Sequence, residues 1–315
     1  MSTGMAIQFK QTRQAHATAK SAHRTPAGVI LARCLVVAGI VTTTACCPRL
    51  SPPAAMWLVA LAMYAGFKAL TFLEYQAASP HAKLSLGRSI GYLFAWAGMD
   101  PTDLASHRPA PRHPSVLEWV SALLTAVVGF ALIAVAPLAS TSFWLVGAIG
   151  LVGFLLAFHF GSFQLLALAW RRAGINVPAL MQHPERSASL ADFWGRRWNT
   201  AYRRLSFDYF FRPFVRRLGA GGALIVAFLI SGVIHELVIT WPAGGGYGGP
   251  TVFFLLQGLA MAFERSRWGA SLLPVGSMRA RVFAAAFVLL PAPLLFPPPF
   301  LVRVIAPMTG VPSIF

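Results

Sequence analysis

Seven stretches of this sequence are apolar over lengths at or near the roughly 20 residues that carry a helix across the hydrocarbon core of a bilayer. They fall at about Val29–Cys47, Ala54–Leu73, Leu117–Ala136, Phe143–Ala169, Gly221–Trp241, Pro250–Phe263 and Val282–Val302. Hydrocarbon offers no partner to a backbone N–H or C=O, so each run must close its own hydrogen bonds as a helix. The expected fold is therefore all-α: a polytopic membrane protein with about 7–9 transmembrane helices plus interfacial or re-entrant helices. The sixth run is short, and is expected to extend, tilt or re-enter. Composition agrees, with 57% hydrophobic and 11% charged residues, where soluble chains carry about a quarter charged.

The formal net charge of +17 invites a nucleic-acid reading, but the arrangement of the charges argues for topology. With a cytosolic N-terminus, segments 1–28, 74–116, 170–220 and 264–281 share one side and hold 22 of the 26 Lys and Arg residues. Arg49 and Arg303 lie opposite, and Arg33 and Lys68 fall inside spans. Such asymmetry orients a chain by the positive-inside rule, here in a bacterial inner membrane. Contact with anionic lipid or a phosphorylated substrate is the second use of the charge. Nucleic acid is excluded as a partner, since no soluble basic face is formed. Cys34, Cys46 and Cys47 supply neither a disulfide framework nor a metal spacing, and no metal is expected. The first span is expected to stay uncleaved.

Residues 1–28 read as a flexible basic cytosolic tail and 29–315 as a single multi-helix membrane domain. Within it, 170–220 is a cytosolic or interfacial amphipathic segment. Gly87–Met99 is apolar but too short to span, which suits an interfacial or re-entrant helix. Asp100 and Asp103 form a single DxxD, weak ground for a magnesium–diphosphate site. Gly244–Gly249 (GGGYGG) lacks a phosphate-loop Lys and reads as a flexible turn.

The richest stretch is Ser189–Leu218, SLADFWGRRWNTAYRRLSFDYFFRPFVRRL, followed by an apolar run ending SGVIHELVITW. Ser189 with Asp192 three residues on resembles a helix-starting capping box. Projected as one helix at about 100° per residue, Arg196, Arg197, Arg203 and Arg204 share one arc. Trp194, Trp198, Tyr202, Leu205 and Tyr209 share another, and Asn199 falls between them. His235 lies within the fifth apolar run, where an ionisable residue is expensive and marks a functional position. A neutral imidazole there can take a proton from a hydroxyl; a histidine bonded between helices is the plainer alternative. Glu236 points away from His235 on a helix, and is expected to bind a basic group such as Lys68 or to orient the site indirectly. His159 and Gln164 suit polar contacts between helices better than catalysis, and Lys68 and Glu74 suit snorkelling at a span end.

DFWGRRWN at Asp192–Asn199, followed 36 residues after Asn199 by the His of ISGVIHEL, resembles the membrane-bound O-acyltransferase (MBOAT) superfamily, closest to its wax-synthase-like branch. Phe211-Arg212-Pro213 resembles that branch's Pro-containing link. The similarity is compelling over about Ser187–Val238, and Tyr92–Pro101 (YLFAWAGMDP) is a weaker match. The resemblance implies acyl transfer from acyl-CoA to a lipophilic alcohol, with His235 as the essential histidine and Asn199 as the second site position. It implies acyl-CoA as co-substrate, with no further cofactor. Trp194, Arg196, Arg197, Trp198, Arg203 and Arg204 are the expected acyl-CoA contacts, with Asp192 and Glu236 behind them. The chain is short for the superfamily, so a homo-oligomer is one way to complete its cavity.

Two other functions stay open at this point. Acylation of an extracytoplasmic glycan fits the depth of His235. A proton-coupled transporter would use His159 and His235 as a proton path, but predicts internal repeats that the sequence lacks.

Overall fold

The structure, a computed structural model, describes residues 27–46, 49–78, 83–105 and 112–312. The basic tail lies outside the described residues but for its last two positions. Every regular element among the described residues is helical. In chain order the main ones are α1 (Ala27–Cys46), α2 (Pro52–Ala78), α3 (Leu86–Ala95), α4 (Val116–Ala139), α5 (Phe143–Arg172) and α6 (Arg212–His235). Next come α7 (Gly249–Glu264), α8 (Arg267–Leu272), α9 (Met278–Leu295) and α10 (Pro298–Met308). Among the described residues, five helical stretches are long and apolar enough to cross a membrane: α2, α4, α5, α9 and the run Thr200–Ala243 that contains α6. Three shorter apolar helices, Arg33–Cys46, α7 and α10, are found among the same described residues. This is an integral membrane protein.

Packing is local along the chain. The pairs α1–α2, α4–α5 and α6–α7 make the densest contacts, and α10 lies against the first half of α5. Small residues allow the close approaches. A Cβ on Gly129 of α4 would meet the Ala157 backbone nitrogen of α5 at 2.2 Å, and one on Gly232 of α6 would meet Thr251 Cα of α7 at 2.7 Å. Such small-residue seams let helices associate where lipid removes the hydrophobic drive. Leu123, Leu124, Val127 and Val128 of α4 point outward, as side chains facing hydrocarbon should.

Four expectations need correcting. The seventh apolar run is two elements, because α9 ends at Leu295 and α10 begins at Pro298. Pro297 to Pro299 interrupt it, since proline lacks the N–H that would continue the ladder. Lys68 does not snorkel: it is 2% exposed, donates to the Gly98 carbonyl and lies 3.6 Å from the centre of the Tyr92 ring. Nor does Glu236 reach Lys68; it accepts from Thr240 nearby and from Thr251 at the start of α7. Glu74, the other supposed snorkeller, accepts from Arg33 of α1 and from the Tyr209 hydroxyl.

Candidate functional site

The segment expected to be one amphipathic helix is broken into short turns. A helical turn (Leu190–Asp192) runs into a π-helical turn (Phe193–Arg197), and the chain then extends at Trp198. Asn199 is left-handed, with φ 41° and ψ 57°. A short 3-10 turn (Thr200–Tyr202), one helical turn (Arg203–Leu205) and a second π turn (Ser206–Phe211) lead into α6. The single-helix projection therefore fails. Each π turn inserts a residue and rotates the side chains beyond it, and the left-handed step at Asn199 resets the direction.

This break is held open by a neighbouring strand of chain. Gln182 N–H donates to the Arg197 carbonyl (2.8 Å), Thr200 N–H to the Leu180 carbonyl (2.9 Å), and Asn199 N–H to Met181 Sδ (3.2 Å). His183, facing Arg197 across this pairing, is also left-handed with φ 50°. Non-glycine residues in that region carry backbone strain, and such strain gathers at functional sites. Asparagine tolerates it better than most, which suits the type found at 199.

Asp192 organises the basic residues. Ser189 Oγ accepts from the Asp192 N–H at 3.0 Å, as the capping pattern predicts. The Asp192 carboxylate turns instead to the Ala188 N–H (3.0 Å), Arg196 Nε (2.8 Å) and Arg197 Nε (2.6 Å). Burial alone would raise this carboxyl's pKa, but the Ala188 N–H and the two guanidinium groups outweigh it and hold it below the usual carboxylate range. Arg197 also donates to the Gln182 and His183 carbonyls, so its guanidinium is committed inward. Arg204 pairs with Asp100 at 2.7 Å and Asp208 at 3.4 Å. Arg203 is exposed and meets no carboxylate among the described residues. Of the four arginines, Arg196 and Arg203 are the most open to an external anion. Asp100 thus serves Arg204, and Met99 N–H donates to the Ala201 carbonyl at 2.9 Å. The weakly matched Tyr92–Pro101 is therefore docked on the Asn199 segment.

His235 closes α6. Its Nδ1 lies 2.7 Å from the Ser231 carbonyl; a carbonyl only accepts, so Nδ1 carries the proton. In the neutral ring Nε2 is then the acceptor. The adjoining Glu236 binds the start of α7 through Thr251 N–H (3.0 Å) and Thr251 Oγ1 (2.9 Å), and accepts from Thr240 Oγ1.

Ring contacts join the two candidate positions. Trp198, beside Asn199, stacks on Phe193 at 5.5 Å, and Phe193 meets Trp194 at 5.1 Å. Trp194 then meets Phe254 of α7 at 5.7 Å, and Phe254 meets His235 at 4.4 Å. His159, in a π-helical stretch of α5, stacks on the other end of this series, 6.5 Å from Trp198. Its Nδ1 is buried without a hydrogen-bond partner among the described residues. Among the described residues, no cluster of three or more His, Cys, Asp or Glu residues could hold a metal ion.

Residues 177–256, which contain both Asn199 and His235, match the family described as "Membrane bound O-acyl transferase family". Over this segment the chain is similar to that family. Three plant proteins resemble the chain over the same order of length. One is "Probable long-chain-alcohol O-fatty-acyltransferase 9" of Arabidopsis thaliana, 30% identical over 41% of this chain and 41% of its own length. Another is "Long-chain-alcohol O-fatty-acyltransferase" of Simmondsia chinensis, 30% identical over 36% of each. The third is "Probable long-chain-alcohol O-fatty-acyltransferase 1" of Arabidopsis thaliana, 32% identical over 30% of this chain and 32% of its own length. The matches thus span about two fifths or less of these relatives.

Two anchors of the Asn199 segment are not marked by any motif in the sequence: Gln257 and Glu264. Glu264, 6% exposed, accepts from the Leu190 and Ala191 N–H groups at 2.9 and 2.8 Å, and Gln257, fully buried, accepts from Trp194 Nε1 at 3.1 Å. Gln257 inside an apolar run and Glu264 just past its end stand out as polar positions, though nothing local names their partners.

Proposed function

We propose that the protein is an integral-membrane O-acyltransferase that moves an acyl group from acyl-CoA to the hydroxyl of a lipophilic alcohol. The observation that carries this reading is the state of His235. With Nδ1–H engaged by Ser231, Nε2 keeps its lone pair for a hydroxyl proton. The alcohol oxygen, losing that proton to Nε2, attacks the thioester carbonyl. The tetrahedral intermediate collapses, the C–S bond breaks, and the CoA thiolate leaves and recovers the proton from the imidazolium. An ester and CoA are the products, and no covalent acyl-enzyme is needed.

Asn199 is assigned the hydrogen bond to the developing oxyanion, a role for which a donor fixed by strained backbone is suited. Arg196 and Arg203 are assigned to the CoA phosphates, since guanidinium binds phosphate bidentately. Arg197 and Arg204 hold the segment in shape through Asp192 and Asp100. The Arg-rich side then faces the cytosol, where CoA is available. The names of the plant relatives support a long-chain alcohol as acceptor.

The test is product analysis with purified protein, labelled long-chain acyl-CoA and separate acceptors: a long-chain alcohol, a sterol and a glycolipid. Ester with stoichiometric CoA release supports the reading, and the preferred acceptor names the substrate. CoA release with free fatty acid alone, or no turnover of acyl-CoA with any acceptor, overturns it.

A further inference from the structure

We propose that Gln257 and Glu264 are positioning residues for acyl transfer, and that α7 is the brace fixing the Asn199 segment relative to His235. The inference rests on the acyltransferase reading for its chemistry, while the geometry stands on its own. At its first turn α7 is fastened to the His235 helix, through the two hydrogen bonds from Thr251 to Glu236. One turn on, the Phe254 ring touches both His235 and Trp194. The next turn presents Gln257, whose Oε1 accepts from Trp194 and whose Nε2 donates to the Phe287 carbonyl at 2.5 Å. The last residue, Glu264, grips the Leu190 and Ala191 N–H groups with one oxygen each.

From Thr251 to Glu264 a regular helix rises about 20 Å. Its ends therefore keep a set separation between the residue beside His235 and the start of the Asn199 segment. Local capping does not require Glu264, because Ser189 already accepts from Asp192 N–H. Free N–H groups at a helix start can also be met by water or by nearby side chains. Recruiting a carboxylate from 74 residues away, at the desolvation cost of burying it, adds position rather than mere satisfaction. Gln257 is likewise spent on an indole N–H in the very segment that carries Asn199. A shift of about 1 Å in an oxyanion donor is enough to cost on the order of a hundredfold in rate.

The test uses the full chain in lipid nanodiscs, comparing wild type, His235→Ala, Glu264→Gln, Gln257→Leu, Trp194→Phe and the Gln257→Leu/Trp194→Phe pair. Glutamine at 264 keeps the volume but accepts only one of the two N–H groups. The expected result is a fall of about tenfold or more in kcat with KM for acyl-CoA within about twofold. The Gln257 and Trp194 changes are expected to be non-additive, since each removes the same bond. Hydrogen exchange gives the readout independent of activity: Glu264→Gln should speed exchange in 188–199 and leave 224–234 protected. Full kcat in folded Glu264→Gln, or exchange that rises equally in both segments, overturns the brace. Wild type without ester formation sinks the acyltransferase reading instead, and the exchange pattern then decides the brace alone.

Discussion

Asp192 offers the sharpest quantitative test of how the Asn199 segment is built. Its side chain is 4% exposed and binds two arginines of unequal exposure, Arg197 at 28% and Arg196 at 72%. A charge-assisted hydrogen bond shielded from water contributes about 1.5–3 kcal/mol, whereas an exposed ion pair contributes about 0.2–1 kcal/mol. Asp192→Asn should therefore cost about 2–4 kcal/mol, most of it from Arg197 and the Ala188 N–H. Double-mutant cycles separate the parts: Asp192→Asn with Arg197→Gln should show a coupling of about 1.5–3 kcal/mol, and with Arg196→Gln less than about 1 kcal/mol. The measurement is reversible denaturation in detergent, followed by tryptophan fluorescence, since Trp194 and Trp198 flank the site. Acid adds an independent check. The folded carboxyl is held below its ordinary value, so its stabilisation is complete above the unfolded range near about 3.9 and disappears as pH falls through the lower folded value. The stability gap between wild type and Asp192→Asn should thus be constant from neutral pH down to about pH 5, then close. Equal couplings to the two arginines, or a gap that closes as pH rises, would refute the reasoning.

Three further outcomes are expected from the packing. Gly232→Ala sets a Cβ 2.7 Å from Thr251 Cα, so α6 and α7 must separate; a loss of about 1–3 kcal/mol is expected, with reduced acyl transfer, and an unchanged melting temperature would contradict it. Lys68→Met leaves the buried Gly98 carbonyl without its donor and removes the cation over Tyr92; unfolding measurements should show a loss of about 1–3 kcal/mol. Arg203→Ala should raise KM for acyl-CoA several-fold at unchanged stability. Arg204→Ala should chiefly lower stability by releasing Asp100, and the reverse pattern would exchange their roles.

Much of the fold is legible in the sequence because hydrocarbon imposes simple rules. α2, α4 and α5 fall where their apolar runs predict, and Ser189 caps its turn as its spacing to Asp192 suggests. The break near Pro297 is written in the run Phe296-Pro-Pro-Pro-Phe300, yet total hydropathy hides it. Periodicity cannot reveal the shape of 189–211. A constant rotation per residue has no place for two π turns and a left-handed asparagine, and those depend on pairing with 180–183 and on α7. The bonds from Glu264 and Gln257 reach across 74 and 63 residues, so no local pattern signals them. Lys68 escapes a sequence reading for a related reason: a span end predicts snorkelling until another element, here the segment from Tyr92 to Asp103, folds over it.

The central claim is that His235 takes the acceptor's proton during acyl transfer. It is tested most directly by ester formation in purified, folded protein, comparing wild type with His235→Ala at saturating acyl-CoA and alcohol. The account predicts a loss of about 10²–10⁴-fold in kcat with CoA binding retained. Ester formation at the wild-type rate in His235→Ala would contradict it.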